Sequence, residues 1–336
     1  LRVASTAAAA ALHDRSWKAV ILRLVGLRCL TAALTLLLVS AITFVAVELL
    51  PGDVATSVLG QFSSETARAA LRAQLHLDDP PIQRYLLWLS NLLHGDLGIA
   101  LSSRRLITDI LWPRLANTLI LSAAAVLIYM PLALLPAVAQ AIRRNRPLDH
   151  ALSTTTLILA SFPDFMLALI LLVLFVVALP VLPAVSAVTD ATDLVGWLRA
   201  LVLPATTLAI VMAVYAARML RDNLIEVLEA PHILMARLRG LPNWRILWFH
   251  ALPNAIVPTL NITALNLTYL AGGVVIVEKV FGFPGFGSLM IDAIRFRDVP
   301  LIEVTVLIAS AVYVLANLLA DLATLLLNPK LRQARA

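Results

Sequence analysis

Lysine is almost missing from this chain: of 26 basic residues, only Lys18, Lys279 and Lys330 are lysines. No GxxxxGK followed by Ser or Thr occurs, so the chain has no phosphate-cradling P-loop of its own and does not bind nucleotide that way. Cysteine is rarer still. The single Cys29 excludes an intrachain disulfide and a cysteine metal site, and leaves the redox compartment open. Six histidines are scattered, with no HExxH and no supported Ser-His-Asp arrangement, so no catalytic cluster emerges. Charged residues make up only 14% of the chain, and the net charge of +6 is spread between apolar runs. Without aromatic-basic clustering or finger spacing, that charge does not describe a nucleic-acid surface.

What is abundant is hydrocarbon. The 336 residues are 61% hydrophobic with mean hydropathy +0.91, too apolar for a soluble domain of this size and long enough for several membrane crossings. A crossing needs about 20 residues, and six runs qualify: 25–50, 118–139, 157–179, 201–217, 256–277 and 301–322. The predicted class is an all-α polytopic membrane protein of about six transmembrane helices. The fourth run is short, and "SFPDFM" can split the third at Pro163 and Asp164.

An even number of spans puts both termini on one side. Most of the arginine and lysine falls in the amino-terminal segment, in the loop after span two (Arg143, Arg144, Arg146), in the loop after span four (Arg218, Arg221, Arg237, Arg239, Arg245) and in the tail. The positive-inside rule then places both termini in the cytoplasm. The expected layout is a cytoplasmic segment 1–22, a membrane domain 23–327 and a tail 328–336. The first apolar run is read as an uncleaved helix, because it is long enough to span and no small-residue cleavage site follows it. Within the membrane domain, the loop 51–114 lies outside and the segment 218–254 inside. In the outer loop, Ser63 or Ser64 is positioned to cap a short helix, and "DPPIQRYLLWLSNLL" reads as a second helix on the membrane surface.

The connector between spans four and five is unusual. Pro231 suits the first turn of a helix, where its missing N–H is not needed, and Gly240 suits a left-handed closing position. "PHILMARLRG" is therefore a short helix with Ile233, Leu234 and Met235 beside Arg237 and Arg239. Pro242 starts a further segment that ends at Pro253. Such a helix fits either the membrane interface or a groove on a soluble partner.

Several stretches occur together in order: "LLPGD" (49–53), "GDLG" (95–98), the connector, "GGVVIVEKVFGFPGFG" (272–287), "AIRFRDVP" (293–300) and "NLLADLATLLLNPK" (317–330). In these the chain resembles the permease subunits of binding-protein-dependent ABC importers, in the dipeptide, oligopeptide and nickel branch. That family carries a cytoplasmic signature of the form E-A-A, three residues, glycine, nine residues, I-x-L-P. Here its third position is Ala236, its glycine Gly240 and its final pair Leu252 and Pro253. Leu234 and Met235 replace Glu-Ala, His250 replaces Ile, and "FHALPNA" keeps His250, Leu252 and Asn254 of the branch form "RHALRNA".

The resemblance implies that Ala236, Arg237, Arg239, Gly240, His250, Leu252, Pro253 and Asn254 couple the chain to an ATPase. It implies as partners a second related permease, two ATP-binding subunits holding ATP and magnesium, an external solute-binding protein and the bilayer. No cofactor is expected in this chain, which would be a non-catalytic half of a transport pathway. Di- or oligopeptides are the expected solute, with nickel or a nickel chelate as the alternative. A self-contained secondary transporter is a further alternative, for which no internal repeat is evident.

Other polar residues carry two readings each. Asn261, Thr263, Asn266 and Thr268 on span five either line a pathway or hold helices together, and Asp164, at a broken turn needing polar company, is a further pathway candidate. Glu278 beside Lys279 is either an exposed pair worth little or, as favoured, the residue that fixes the loop outside span five, with Pro284, Gly285 and Gly287 forming that gate or loop. The glycines permit positive φ or close approach there, or belong to an ordinary turn. Asp321 near the end of span six needs a stabilising partner.

Overall fold

The computed structural model describes residues 26–49, 64–74, 78–186 and 194–327. The segments 1–25 and 328–336, most of "LLPGD", and the side chains of Asn261, Thr268 and Asp321 lie outside the described residues. Every regular element among the described residues is a helix, apart from one isolated bridge between Ile99 and Leu106. The chain is an all-α polytopic membrane protein. Contacts sort it into two units, Leu1–Asp96 with Val306–Ala336, and Leu97–Thr305.

In the first unit, α1 (Gly26–Glu48) exposes Leu27, Leu30, Leu34, Leu38, Ile42 and Val45, the pattern of a helix solvated by hydrocarbon. Helix α2 (Glu65–Gln74) starts at Ser64, whose Oγ accepts the Ala67 N–H at 3.2 Å, an N-cap that satisfies one orphan donor. Helix α3 (Pro81–Leu93) packs on α1: Tyr85 OH lies 2.8 Å from Ser40 Oγ and meets Phe44 edge-on at 5.3 Å, while Arg84 pairs with Glu48.

The second unit is built on two long helices, α4 (Ile107–Ile142) and, beyond α5 (Pro147–Ser161) and α6 (Asp164–Leu172), α7 (Leu194–Leu228). The buried face of α4 runs Leu121, Ala125, Tyr129, Ala133, Ala137, Ala141. This spacing of four residues keeps one stripe inward, and its alanines let α7 approach closely, with Ala205, Ala209, Ala213 and Ala216 buried on the facing helix. After α7 come α8 (Pro231–Leu238), α9 (Asn243–Ile246), a π turn at Leu247–Ala251, α10 (Leu252–Val280) and α11 (Phe286–Arg295). Helix α12 (Val299–Leu327) begins in this unit.

Among the described residues four helices are long and apolar enough to cross a membrane, or five if the bent pair α5–α6 is one span; the expected span 256–277 lies within α10. The helices run further than hydropathy suggests. The 36-residue α4 starts at Ile107, inside the stretch expected as outer loop, and α7 has 35 residues where the run 201–217 was short. Arg114, Arg199, Arg218 and Arg221 interrupt the apolar runs without interrupting the helix, because at ~1.5 Å per residue such helices outreach the ~30 Å hydrocarbon layer and their ends stand in polar surroundings. The third span does split, α5 and α6 meeting at 109° across Phe162 and Pro163. Proline has no N–H for the ladder, and Phe162 before it is extended with ψ 133.

Four helices end in the same way. After α3, α8, α10 and α11 a left-handed residue (Gly95, Gly240, Gly282, Arg297) is followed by an N–H that reaches back to the carbonyl of the residue fifth before it. These are Schellman closures, which satisfy carbonyls that would otherwise be orphaned. Arg297, at φ +53, occupies a conformation usually left to glycine.

Candidate functional site

The connector is closed on itself and seated on the bundle. Gly240, at φ +77, donates its N–H to Arg237 O at 2.9 Å, and Leu241 N–H reaches Ala236 O at 3.3 Å. Pro231 opens α8 at its first turn. The seat is Ile233, fully buried in a cluster with Ala137 and Ala141 of α4, Leu220 and Leu224 of α7, and Ile246, Leu247, Ala251, Leu252 and Ala255. Around that one anchor, Leu234, Met235, Arg237, Leu238 and Arg239 are exposed. The result is a short, firmly held helix presenting an apolar face edged with arginine.

The segment after Gly240 differs from expectation. It does not end at Pro253: α9, the π turn and α10 follow without a break from Asn243 to Val280, and Pro253 stands in the first turn of α10. In a regular α-helix the proline ring would strike the carbonyl four residues earlier, that of Phe249. The π turn at 247–251 widens the backbone at that point and lets the helix pass. His250 is half-buried and its carbonyl accepts Asn254 Nδ2 at 2.7 Å; Leu252 is buried, while Pro253 and Asn254 are exposed. Trp244 and Trp248, a turn apart, line a cleft of about 830 Å³ with Arg144, Leu228, Glu229 and Arg237, and Arg144 pairs with Glu229 across its rim.

At the other end of α10, Glu278 is fully buried and is not half of an exposed pair with Lys279, which pairs instead with Asp292 at 2.6 Å. One Glu278 oxygen accepts Thr118 Oγ1 at 2.5 Å and the other accepts Ser288 N–H at 2.8 Å. Thr118 Oγ1 in turn accepts the Phe286 N–H at 2.8 Å, and Asn117 Nδ2 donates to Pro284 O at 2.8 Å. Gly285 and Gly287 serve close approach rather than positive φ: a Cβ on Gly285 would lie 2.0 Å from Glu278 Oε1, and one on Gly287 2.7 Å from the Val275 backbone. The positive φ belongs to Gly282. At the far end of α11, buried Asp298 accepts Ser102 N–H and Oγ at 2.8 and 2.7 Å.

Between these ends the polar groups of α10 meet neighbouring helices. Thr263 Oγ1 is 2.8 Å from Tyr129 OH on α4, and Asn266 Nδ2 donates to Met212 O on α7 at 3.1 Å. Asp164, at the start of α6, accepts the hydroxyl of Tyr269. The geometry joins Thr263, Asn266 and Asp164 to partners across helix interfaces. Sequence reading missed Asn117, Thr118, Tyr129 and Tyr269 because each partner lies far along the chain, and no local periodicity links Thr118 to Glu278. It also missed Asp149 and Arg221 as a pair, although an aspartate just inside a proline-led helix start after three arginines was a signal.

Residues 130–333 match the family model for the binding-protein-dependent transport system inner membrane component, and residues 21–122 match the model for the N-terminal part of such membrane components. A Brucella abortus relative named as a peptide transport system permease protein is 33% identical over 88% of this chain and 95% of its own. A Sinorhizobium fredii relative named as a peptide ABC transporter permease protein is 32% identical over 91% of this chain and 97% of its own. A glutathione transport system permease protein of Escherichia coli is 33% identical over 89% and 95%. With a family model covering more than half of its length and relatives aligned nearly end to end, the chain belongs to the binding-protein-dependent transport system inner membrane components, the permease subunits of ABC transporters.

Proposed function

We propose that the chain forms half of the translocation pathway of an ATP-driven peptide importer, beside a second, related permease, and that two separate ATPase subunits drive it. The observation that carries this reading is the connector: a helix sealed by Gly240, fixed by Ile233 and offering exposed Leu234, Met235, Arg237 and Leu238. A helix held only from behind is suited to receive force on its free face. The residues expected to couple, Ala236, Arg237, Arg239, Gly240, His250, Leu252, Pro253 and Asn254, all lie on it or on the helical start of α10.

The alternating-access reading gives each end of α10 a role. ATP-driven closure of the partners displaces the connector in the cytoplasm, where both termini also lie, and α10 carries the displacement to the Glu278 loop on the outer side. There an external binding protein delivers the solute. The ATPase subunits supply ATP and magnesium, and this chain contributes no catalytic group. The relatives' names favour peptide or glutathione over nickel as the solute class. Thr263 and Asn266 hold α10 in place beside the path, and Asp164 with Tyr269 forms the polar contact where the broken helix meets it.

Uptake into vesicles containing the reconstituted complex and its binding protein tests this. Short peptides, glutathione and chelated nickel would be compared with ATP inside. Peptide or glutathione accumulation that depends on ATP is expected; exclusive nickel accumulation, or uptake without any ATPase partner, would overturn the reading.

A further inference from the structure

Asp149 is 1% exposed, yet it sits in "RRNRPLDH", a basic turn between α4 and α5. Arg221 of α7 reaches it with a fork of two parallel bonds, Nε to Oδ1 at 2.8 Å and Nη2 to Oδ2 at 2.7 Å, the geometry in which guanidinium and carboxylate match best. The N–H of Asn145, itself left-handed at φ +60, adds a third bond at 3.0 Å. Ser153, a turn further along α5, lies 3.5 Å from Asp149 Oδ1 and donates to Gln140 Oε1 of α4 at 3.0 Å. Arg221 Nη1 turns outward to Asp222 at 2.8 Å. One buried carboxylate thus binds the α4–α5 turn and the start of α5 to α7.

Both ends of this arrangement lead somewhere. On α7, Leu220 and Leu224 flank Arg221 and are buried in the cluster that seats Ile233 of the connector. On α5, the helix runs to the 109° bend at Phe162 and Pro163, beyond which Asp164 holds Tyr269 of α10. Helix α5 is therefore a lever tied to α7 at one end and, through α6, to α10 at the other. A buried ion pair is a poor source of net stability, because an apolar pair of similar volume holds as well. What a forked pair adds is fixed register, since apolar surfaces slide and a two-point fork does not.

We infer that the Asp149–Arg221 pair is the link that makes α5 and the broken helix follow α7 when the connector moves. Both are positioning residues, acting through the helices they join. The inference rests on the proposed drive by ATPase subunits. Its test is the assembled complex, with Cys29 replaced by serine and spin labels placed at exposed Thr154 of α5 and exposed Arg218 of α7.

In the otherwise unaltered chain the label separation is expected to stay narrow and unchanged between nucleotide-free and ATP-trapped states. In Asp149→Asn and in Arg221→Lys, which keeps charge but loses the fork, it is expected to broaden. Transport per ATP hydrolysed should fall about tenfold while hydrolysis continues. The exchanged pair, Asp149→Arg with Arg221→Asp, should recover part of the loss. A separation that shifts with ATP in the unaltered chain would overturn the inference, as would assembled variants with unchanged separation and unchanged transport per ATP. If one variant fails to assemble, the other carries the test. Absence of any ATP-dependent uptake in the unaltered complex would instead defeat the proposed function, while the label separations would still decide whether the pair ties α5 to α7.

Discussion

At the scale of residues, two glycines that look alike in the sequence are required for opposite reasons. Gly240 needs its backbone angle and has nothing within 4 Å of an added Cβ, whereas Gly285 has ordinary extended angles but no room. Gly240→Ala should therefore cost only the left-handed strain, about 1–2 kcal/mol. Gly285→Ala must expel the Glu278 carboxylate and should cost about 1–3 kcal/mol by overpacking, with loss of the bonds from Thr118 and Ser288 in addition. The discriminating measurement is thermal unfolding in detergent of both single variants and of Gly285→Ala combined with Glu278→Ala. In the combined variant the alanine at 285 should cost much less than it does alone, because its obstacle is gone. Additive losses would show that the Glu278 contact is not what forbids the side chain.

Among the helices, the connector is where sequence reading and structure can be compared closely. Pro231 as a first-turn residue, Gly240 as a closing residue and Ser64 as a cap were legible because each is a local backbone requirement. The burial of Ile233 was not, since Ile233, Leu234 and Met235 are equally apolar and only the ends of α4 and α7 decide which one turns inward. Ile233→Ala should remove the seat at a cost of about 2–5 kcal/mol for a fully buried side chain, and co-purification with the ATPase subunits should weaken. Leu234→Ala, on the exposed face, should leave thermal stability within about 0.5 kcal/mol while weakening co-purification as much or more. The continuity through Pro253 was also hidden, because a proline normally reads as a helix boundary and the widened turn before it has no sequence signature. Pro253→Ala restores an N–H and removes the reason for the π turn. Hydrogen exchange across residues 247–253 should then slow, and unchanged exchange would show that the turn is held by packing instead.

On the scale of the whole molecule, composition and the length of the apolar runs were enough to establish a polytopic helical protein, and motif order was enough for the family. Neither could reveal which helices outrun the bilayer, because arginines at helix ends lower hydropathy without breaking the backbone ladder. The intact assembly should have the mass of two different permeases and two ATPase subunits in detergent; a transport-competent single chain would contradict that. Arg237→Glu with Arg239→Glu should reduce ATPase retention in that assembly with little change in the chain's own melting temperature, since both side chains are exposed. The unbroken run from Asn243 to Val280 spans roughly 57 Å at 1.5 Å per residue and joins the connector to the buried Glu278. On the proposed drive such a rod would act as a shaft, in which a twist applied beside Gly240 would appear at Glu278 unless something between them yields. The π turn at 247–251 would then be the torsional slack in that shaft, one hydrogen-bond register wide, and would set how far the connector could turn before the loop beyond Glu278 had to turn with it.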